Sequence, residues 1–323
     1  MPGDFNPNAS FGANLGKGSA NSIDVILKTI NALTSQFAAR SLEYNRMNAF
    51  VLETFMKNWI TAQAREHHYA QIYNFPRLDW VDANGGIVSR GKIKSIDAKI
   101  TLGKQASVLD MPDMDYKAMI KAGTFSAIPL GIANVNIDSV FGMMHWVLRN
   151  LSTGKLKTYN NETPAQVVRP AASVYVDRLG ANRVPNLGAV ELSNEGIMYV
   201  LNEVAKHKDL DDVRYGSDEL TGIIVDYSQY YNAINMVNQL FTGNSNEKNY
   251  FSYGLRVGAA ALNSPKDWIA VTEKATFGLT TWESTLPFVE RYKTNEEDEE
   301  RIMSKWYVGA HCLDPYGFYA NEF

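Results

Sequence analysis

From Gly222 to Phe323 the chain runs through short apolar stretches, turns and one amphipathic segment in an order that leaves few ways to fold. Gly222-Ile223-Ile224-Val225 reads as a buried strand, and Tyr230, Ile234, Val237 and Phe241 follow it at helical spacing. A second strand is expected over Tyr253–Leu262. A long hairpin then pairs Ala275–Lys293 with Arg301–Leu313 across the acidic turn Thr294-Asn295-Glu296-Glu297-Asp298-Glu299-Glu300. No reactive constellation stands beside this hairpin. A chain that puts its most regular sequence there looks built to touch other protein.

Composition narrows the alternatives. The 323 residues are 45% hydrophobic and 20% charged, ordinary values for a globular chain able to bury a substantial core. A formal net charge of -4 argues against a surface that neutralises many duplex phosphates. The single cysteine, Cys312, excludes an intrachain disulfide and a thiolate metal cluster, and fits a reducing cytoplasm. No apolar run approaches the ~18–20 residues needed to span a bilayer, so no membrane partner is expected. Met1–Asn6 lack the basic start and apolar core of a secretory signal, so export by that route is not expected.

Residues 1–21, rich in Gly, Asn, Ser and Ala, read as an arm that buries little by itself. Asn21 or Ser22 then caps a helix striped by Ile23, Ile26, Leu27, Ile30, Leu33 and Phe37. A second helical stretch runs through Phe50, Val51, Phe55, Trp59 and Ala62 and fades near His67. Beyond Pro76 and the turn Asp82-Ala83-Asn84-Gly85-Gly86, residues 87–102 alternate as an exposed strand pair. This segment is the most basic present, with Arg90, Lys92, Lys94, Lys99 and Lys104 against Asp97. A short helix is expected around Met114–Lys121, a better one over Ile137–Leu151, and irregular structure over 152–192. Ser193 caps a helix striped by Ile197, Val200, Leu201 and Val204.

Candidate chemistry fails on spacing. Gly12-Ala13-Asn14-Leu15-Gly16-Lys17-Gly18-Ser19 has three residues, not four, before its Gly-Lys, and Gly18 stands where a phosphate loop needs a hydroxyl. Glu66-His67-His68, read as surface residues at a helix end, point in different directions and cannot share a metal. His311 and Cys312 face opposite sides of a strand, a rim histidine beside a half-buried thiol. The acidic turn lacks the glycine and spacing of a calcium loop. No catalytic, cofactor or metal residues are therefore assigned. The interface candidates are Arg90, Lys92, Lys94 and Lys99 on one side, and Glu296, Glu297, Asp298, Glu299 and Glu300 on the other. Acidic tips meeting basic residues of a neighbouring copy would avoid repulsion where copies converge.

The order of Gly222–Asp226, Tyr227–Phe241, Tyr253–Leu262 and the hairpin resembles the closing portion of tailed-bacteriophage major capsid proteins, whose fold is named after phage Hong Kong 97. The last strand, Arg301-Ile302-Met303-Ser304-Lys305-Trp306-Tyr307-Val308-Gly309-Ala310-His311-Cys312-Leu313-Asp314-Pro315, is the most specific part. The resemblance implies an α+β fold: an N-terminal arm and helices over 1–75, an extended β-hairpin loop over 76–112, a peripheral domain with spine helix and terminal hairpin over 113–159 and 263–323, and an axial domain over 160–262. It implies a major capsid protein that self-assembles as pentamers and hexamers into an icosahedral shell enclosing the phage genome. Portal, scaffolding and decoration proteins would be partners, with double-stranded DNA packaged without sequence-specific contact. The location would be the virion, after assembly in the host cytoplasm. An encapsulin-like compartment shell protein and an enzyme with an unrecognised site are the alternatives.

Overall fold

The computed structural model describes residues 27–36, 46–73, 94–112, 127–158, 163–165, 175–176, 182–183, 185–207, 220–241, 255–292, 299–313, 315 and 317–323. The arm over 1–21 and the helix expected around Met114–Lys121 lie outside them. Two sheets dominate, joined by two helices.

The first sheet is built around β13 (Glu299–Cys312), which pairs along both flanks. On one flank β11 (Phe277–Trp282) and β12 (Phe288–Tyr292) run antiparallel to it, in register Phe277↔Cys312 and Phe288↔Lys305. This is the hairpin expected from the sequence, with an interruption. Glu283 adopts φ 65, and residues 283–287 break the outgoing arm into two strands. On the other flank β4 (Gly103–Pro112) pairs antiparallel to β13 from Gly103↔Val308 to Pro112↔Glu299. β1 (Ile60–Ala62) adds parallel to β11.

The second sheet has the order β7-β14-β10-β8-β9, with β7 Leu187–Gly188, β14 Phe318–Asn321, β10 Trp268–Thr272, β8 Leu220–Asp226 and β9 Arg256–Ala260. β8 and β9 are parallel and linked through α5 (Tyr230–Phe241). The runs Ile223-Ile224-Val225 and Trp268-Ile269-Ala270-Val271 are buried on both faces, which explains why they are continuously apolar and do not alternate. One face packs on α5 and on α4 (Asn194–Val204), through Ile197, Val200, Val204, Ala233 and Val237. Ser193 caps α4 as the sequence predicts, its Oγ accepting from the Gly196 N–H at 3.0 Å. β10 and β14 come from the segment 263–323 expected to be peripheral, yet share a sheet with β8 and β9. The sheets do not divide at residue 262.

The joint between the sheets is α2 (Arg46–Lys57) with α3 (Ala127–Arg149). Phe50, Val51 and Phe55 of α2 are buried with Met144 and Leu148 of α3 and with Phe277, Trp306 and Phe318. Phe55 sits 5.4 Å from the Phe277 ring, which lies 5.8 Å from Phe318, so one aromatic chain ties both sheets to the helix. The Phe50 ring packs against Gly222, where any Cβ would collide with the ring and with the Arg256 carbonyl. Only glycine permits that approach.

Three sequence expectations are corrected. α3 begins at Ala127, ten positions before the Ile137 expected, with Pro129 in its first turn where a missing N–H costs nothing. α2 ends at Lys57; Trp59 lies beyond it and Ala62 closes β1. Glu66-His67-His68, expected at a fading helix end, open a strand (β2, Glu66–Tyr73) paired with β3 (Lys94–Thr101) in register Glu66↔Thr101 to Tyr73↔Lys94. Residues 94–101 of the basic segment therefore pair with 66–73.

Candidate functional site

The surfaces available for contact follow from how the sheets end. The β2–β3 hairpin is a two-stranded sheet standing apart from the two larger ones. Its base is fastened by Ile100 and Leu102, buried against Ala62 and Leu313, and by the Leu102 N–H donating to the Arg65 carbonyl at 3.0 Å. Above that base Glu66, His68, Ala70, Ser95 and Lys99 are exposed. An isolated two-stranded hairpin is marginally stable in water. This one lacks a covering layer among the described residues.

Two edge strands of the first sheet, β12 and β4, are unlike. Beyond β12 stands the helix over residues 27–36, labelled α1. Its Asn31 accepts from the Val289 N–H at 2.9 Å and donates to the Val289 carbonyl at 3.3 Å, standing in for a neighbouring strand. Thr34 and Asn136 continue the lock: Asn136 Nδ2 donates to Thr34 Oγ1 at 3.3 Å, and Ser304 Oγ donates to Asn136 Oδ1 at 2.5 Å. The opposite edge, along β4, is exposed from Gly103 through Leu109, with Val108 and Leu109 at 49% and 40% exposure. Beside it a groove of about 410 Å³ runs between β4, β13 and the start of α3, lined by Val108, Leu109, Ile128, Ile132 and Val135. Leu130 and Val135 of α3 are also exposed, so the apolar surface continues past the groove.

The sequence-derived interface candidates fall as follows. Arg90, Lys92, Glu296, Glu297 and Asp298 lie outside the described residues. Lys94 opposes Tyr73 at the far end of β3. Lys99 opposes His68, and its Nζ lies 2.8 Å from Glu66 Oε2. That contact and hydrogen bond hold the Glu66 carboxyl below its usual range. Glu299 and Glu300 open β13, opposite Pro112 and Met111. Within one chain, then, Lys94 and Lys99 belong to the hairpin while Glu299 and Glu300 belong to the first sheet.

Other polar residues emerge only with the fold. Lys305, directly across from Phe288, lies 2.9 Å from Glu290 and 3.4 Å from Glu283, with its Nζ 4.8 Å from the Phe288 ring centroid. The Glu290 hydrogen bond raises the Lys305 pKa. The hairpin register, where Glu290 opposes Met303, carries this signal. Tyr227 donates to Asn48 Oδ1 at 2.9 Å and lies 3.3 Å from His145 Nε2. Burial raises the Tyr227 pKa and lowers that of His145. Both are thus neutral near pH 7, which suits a polar pin between α2, α3 and the turn after β8 and not a nucleophile.

His311 and Cys312 correct the sequence reading: both are buried, so the histidine is not on a rim and the thiol is not half-exposed. His311 Nδ1 lies 2.9 Å from Thr280 Oγ1, while Nε2 is buried without a well-formed hydrogen bond. Burial lowers the His311 pKa to about 4, opposed in part by the Asn58 backbone.

A second cavity, of about 460 Å³ between α2, α3 and the 283–287 segment, is lined by Leu52, Met56, Trp59, Ile137, Val140, Phe141 and Leu286, with Ser35, Thr61 and Thr285. Such walls offer no general acid or base. Among the described residues no cluster of three His, Cys, Asp or Glu side chains could hold a metal ion. No described helix is long and apolar enough to cross a membrane.

No family model and no curated protein matches the sequence. Solved structures similar to this chain include phage capsids and an encapsulin complex. The mature capsid of bacteriophage PhiM1 is similar at TM-score 0.48 and 11% identity, over 83% of this chain and 86% of that one. The capsid of Ralstonia phage GP4 is similar at TM-score 0.47 and 8% identity, over 80% and 83%. A holo-encapsulin complex from Synechococcus elongatus is similar at TM-score 0.43 and 8% identity, over 82% and 84%.

Proposed function

We propose that this chain is a shell-forming structural protein, the major capsid protein of a tailed bacteriophage, assembling as pentamers and hexamers into an icosahedral container. The observation that carries the reading is the strand surface left uncovered among the described residues: a hairpin with no covering layer there and a sheet edge of exposed Val108 and Leu109. A lone chain gains little from such elements, whereas a closed shell buries them at many repeated contacts. In this reading β2–β3 is the extended loop lying across an adjacent subunit, and α3 is the spine helix. The first sheet forms the peripheral body and the second the axial one, with residues 1–21 as an arm reaching a neighbour.

Arg90, Lys92, Lys94 and Lys99 would meet the acidic residues 296–300 of a neighbouring copy. The net charge of -4 suits an inner wall that lets packaged double-stranded DNA slide without sequence-specific contact. Portal, scaffolding and decoration proteins would complete a virion assembled in the host cytoplasm. Negative-stain electron microscopy of the purified chain tests this. Closed particles are expected, and removal of residues 1–21 should leave folded, unassembled subunits. A chain that stays monomeric at high concentration would refute the reading.

A further inference from the structure

The exposed edge of β4 is complementary to itself. From Gly103 to Met111 it contains no proline, so each residue retains its backbone N–H. Its one cation, Lys104, stands three positions before Ser107, and its one anion, Asp110, stands three positions after. Antiparallel pairing of two copies requires residues of like ladder parity to face each other, so their numbers must sum to an even value. Among those registers only the one centred on Ser107 sets Lys104 against Asp110 of the other copy, twice, once on each side of the axis. It also sets Ala106 against Val108 and Gln105 against Leu109. The neighbouring registers set Lys104 against Val108 or Pro112 and bring no opposite charge from the second copy to either residue, although within its own chain Asp110 stands across from Arg301.

We propose that the free edge of β4 pairs antiparallel with the β4 edge of a second copy, across a two-fold axis at Ser107, joining two first sheets into one. The inference rests on the shell reading and adds to it a named contact between copies. At this register Val108 would face Ala106 and Leu109 would face Gln105 of the mate, covering part of the apolar edge that one chain leaves exposed. Opposite charges directly across a strand pair favour this register, and like charges there oppose it.

A cysteine scan on assembled full-length protein tests the contact. At the axis the two Ser107 Cα atoms would stand about 4.5–5.5 Å apart, within reach of a disulfide. Under mild oxidation the Ser107→Cys variant should link to itself nearly completely. The Gln105→Cys variant should not, because the two copies of position 105 lie about 13 Å apart along the strands. The native Cys312 thiol is fully buried and does not compete. Separately, Lys104→Asp should raise the concentration at which assembly begins by about tenfold, and adding Asp110→Lys should restore it.

Particles that form without a Ser107→Cys link, or equal linking at position 105, would overturn the β4 contact and leave the shell reading standing. A double charge swap that fails to rescue overturns the register. Wild-type chain that never associates overturns both.

Discussion

The two sheets divide the tasks of this chain unequally. In the second sheet β8, β10 and β14 are buried along nearly their whole length, and helices or neighbouring strands meet their surfaces. In the first sheet, one edge is closed by Asn31 and the other is open from Gly103 to Leu109. A closed sheet makes a stable subunit and reveals nothing of its partners. An open one tolerates surface change in the monomer but makes that surface decisive in an assembly.

The largest expected effect tests the closed side. Trp268 is fully buried, and its Nε1 donates to the Val190 carbonyl at 2.7 Å. Trp268→Ala should cost about 3–5 kcal/mol in denaturant unfolding, the usual range for a buried aromatic truncation. A loss below about 1 kcal/mol would mean that the second sheet is not the stabilising half.

His311 comes next and belongs to the first sheet. Its folded pKa of about 4 lies below the ordinary 6.5, because burial disfavours the imidazolium. The unfolded chain therefore binds the extra proton first. Stability should be fully present above pH 6.5, fall as the pH drops toward 4 and then level off, by about 3 kcal/mol at most. His311→Gln should flatten the pH profile between 4 and 6.5, as read by thermal unfolding. An unchanged slope in the variant would place the titrating group elsewhere.

Asn31→Ala tests how the closed edge is made. It strips both hydrogen bonds from the Val289 backbone and should cost about 1–2 kcal/mol. Hydrogen exchange at Val289 should rise with little change at Ile223 or Val271. Protection lost across both sheets would show instead that α1 is integral to the whole core.

The closed and open regions also differ in how far they could be read from sequence. The hairpin was legible because Phe277, Leu279, Trp306 and Val308 mark one buried set against polar neighbours. β8, α4 and α5 were legible by apolar run and helical stripe. The break at 283–287 was not, because Glu283 takes a left-handed conformation that no glycine announces. β2 was missed because Glu66-His67-His68-Tyr69 shows no apolar alternation. Its strand state comes from pairing with 94–101, nearly thirty positions on, which local pattern does not carry. The early start of α3 was hidden by Asn136 and Asp138, which look like caps, yet Asn136 is buried and spends its side chain on Thr34 and Ser304. Of the site, the basic and acidic segments stood out by charge. The open edge of β4 did not, since an edge exists only once β13 has taken the other side.

The smallest expected effect is the most discriminating. Leu109 is 40% exposed and lines the groove beside β4, so its side chain contributes little to the fold of one chain. Leu109→Ser should change unfolding free energy by no more than about 0.5 kcal/mol, the range of surface substitutions. Apolar surface covered at many symmetric contacts counts once per subunit, however, and a small loss per contact accumulates over a closed particle. The variant should therefore fold normally yet assemble poorly, by light scattering at equal concentration. Were Leu109→Ser instead to destabilise the isolated chain as Trp268→Ala does, the edge would belong to the monomer's own core, and the difference between the two sheets would vanish.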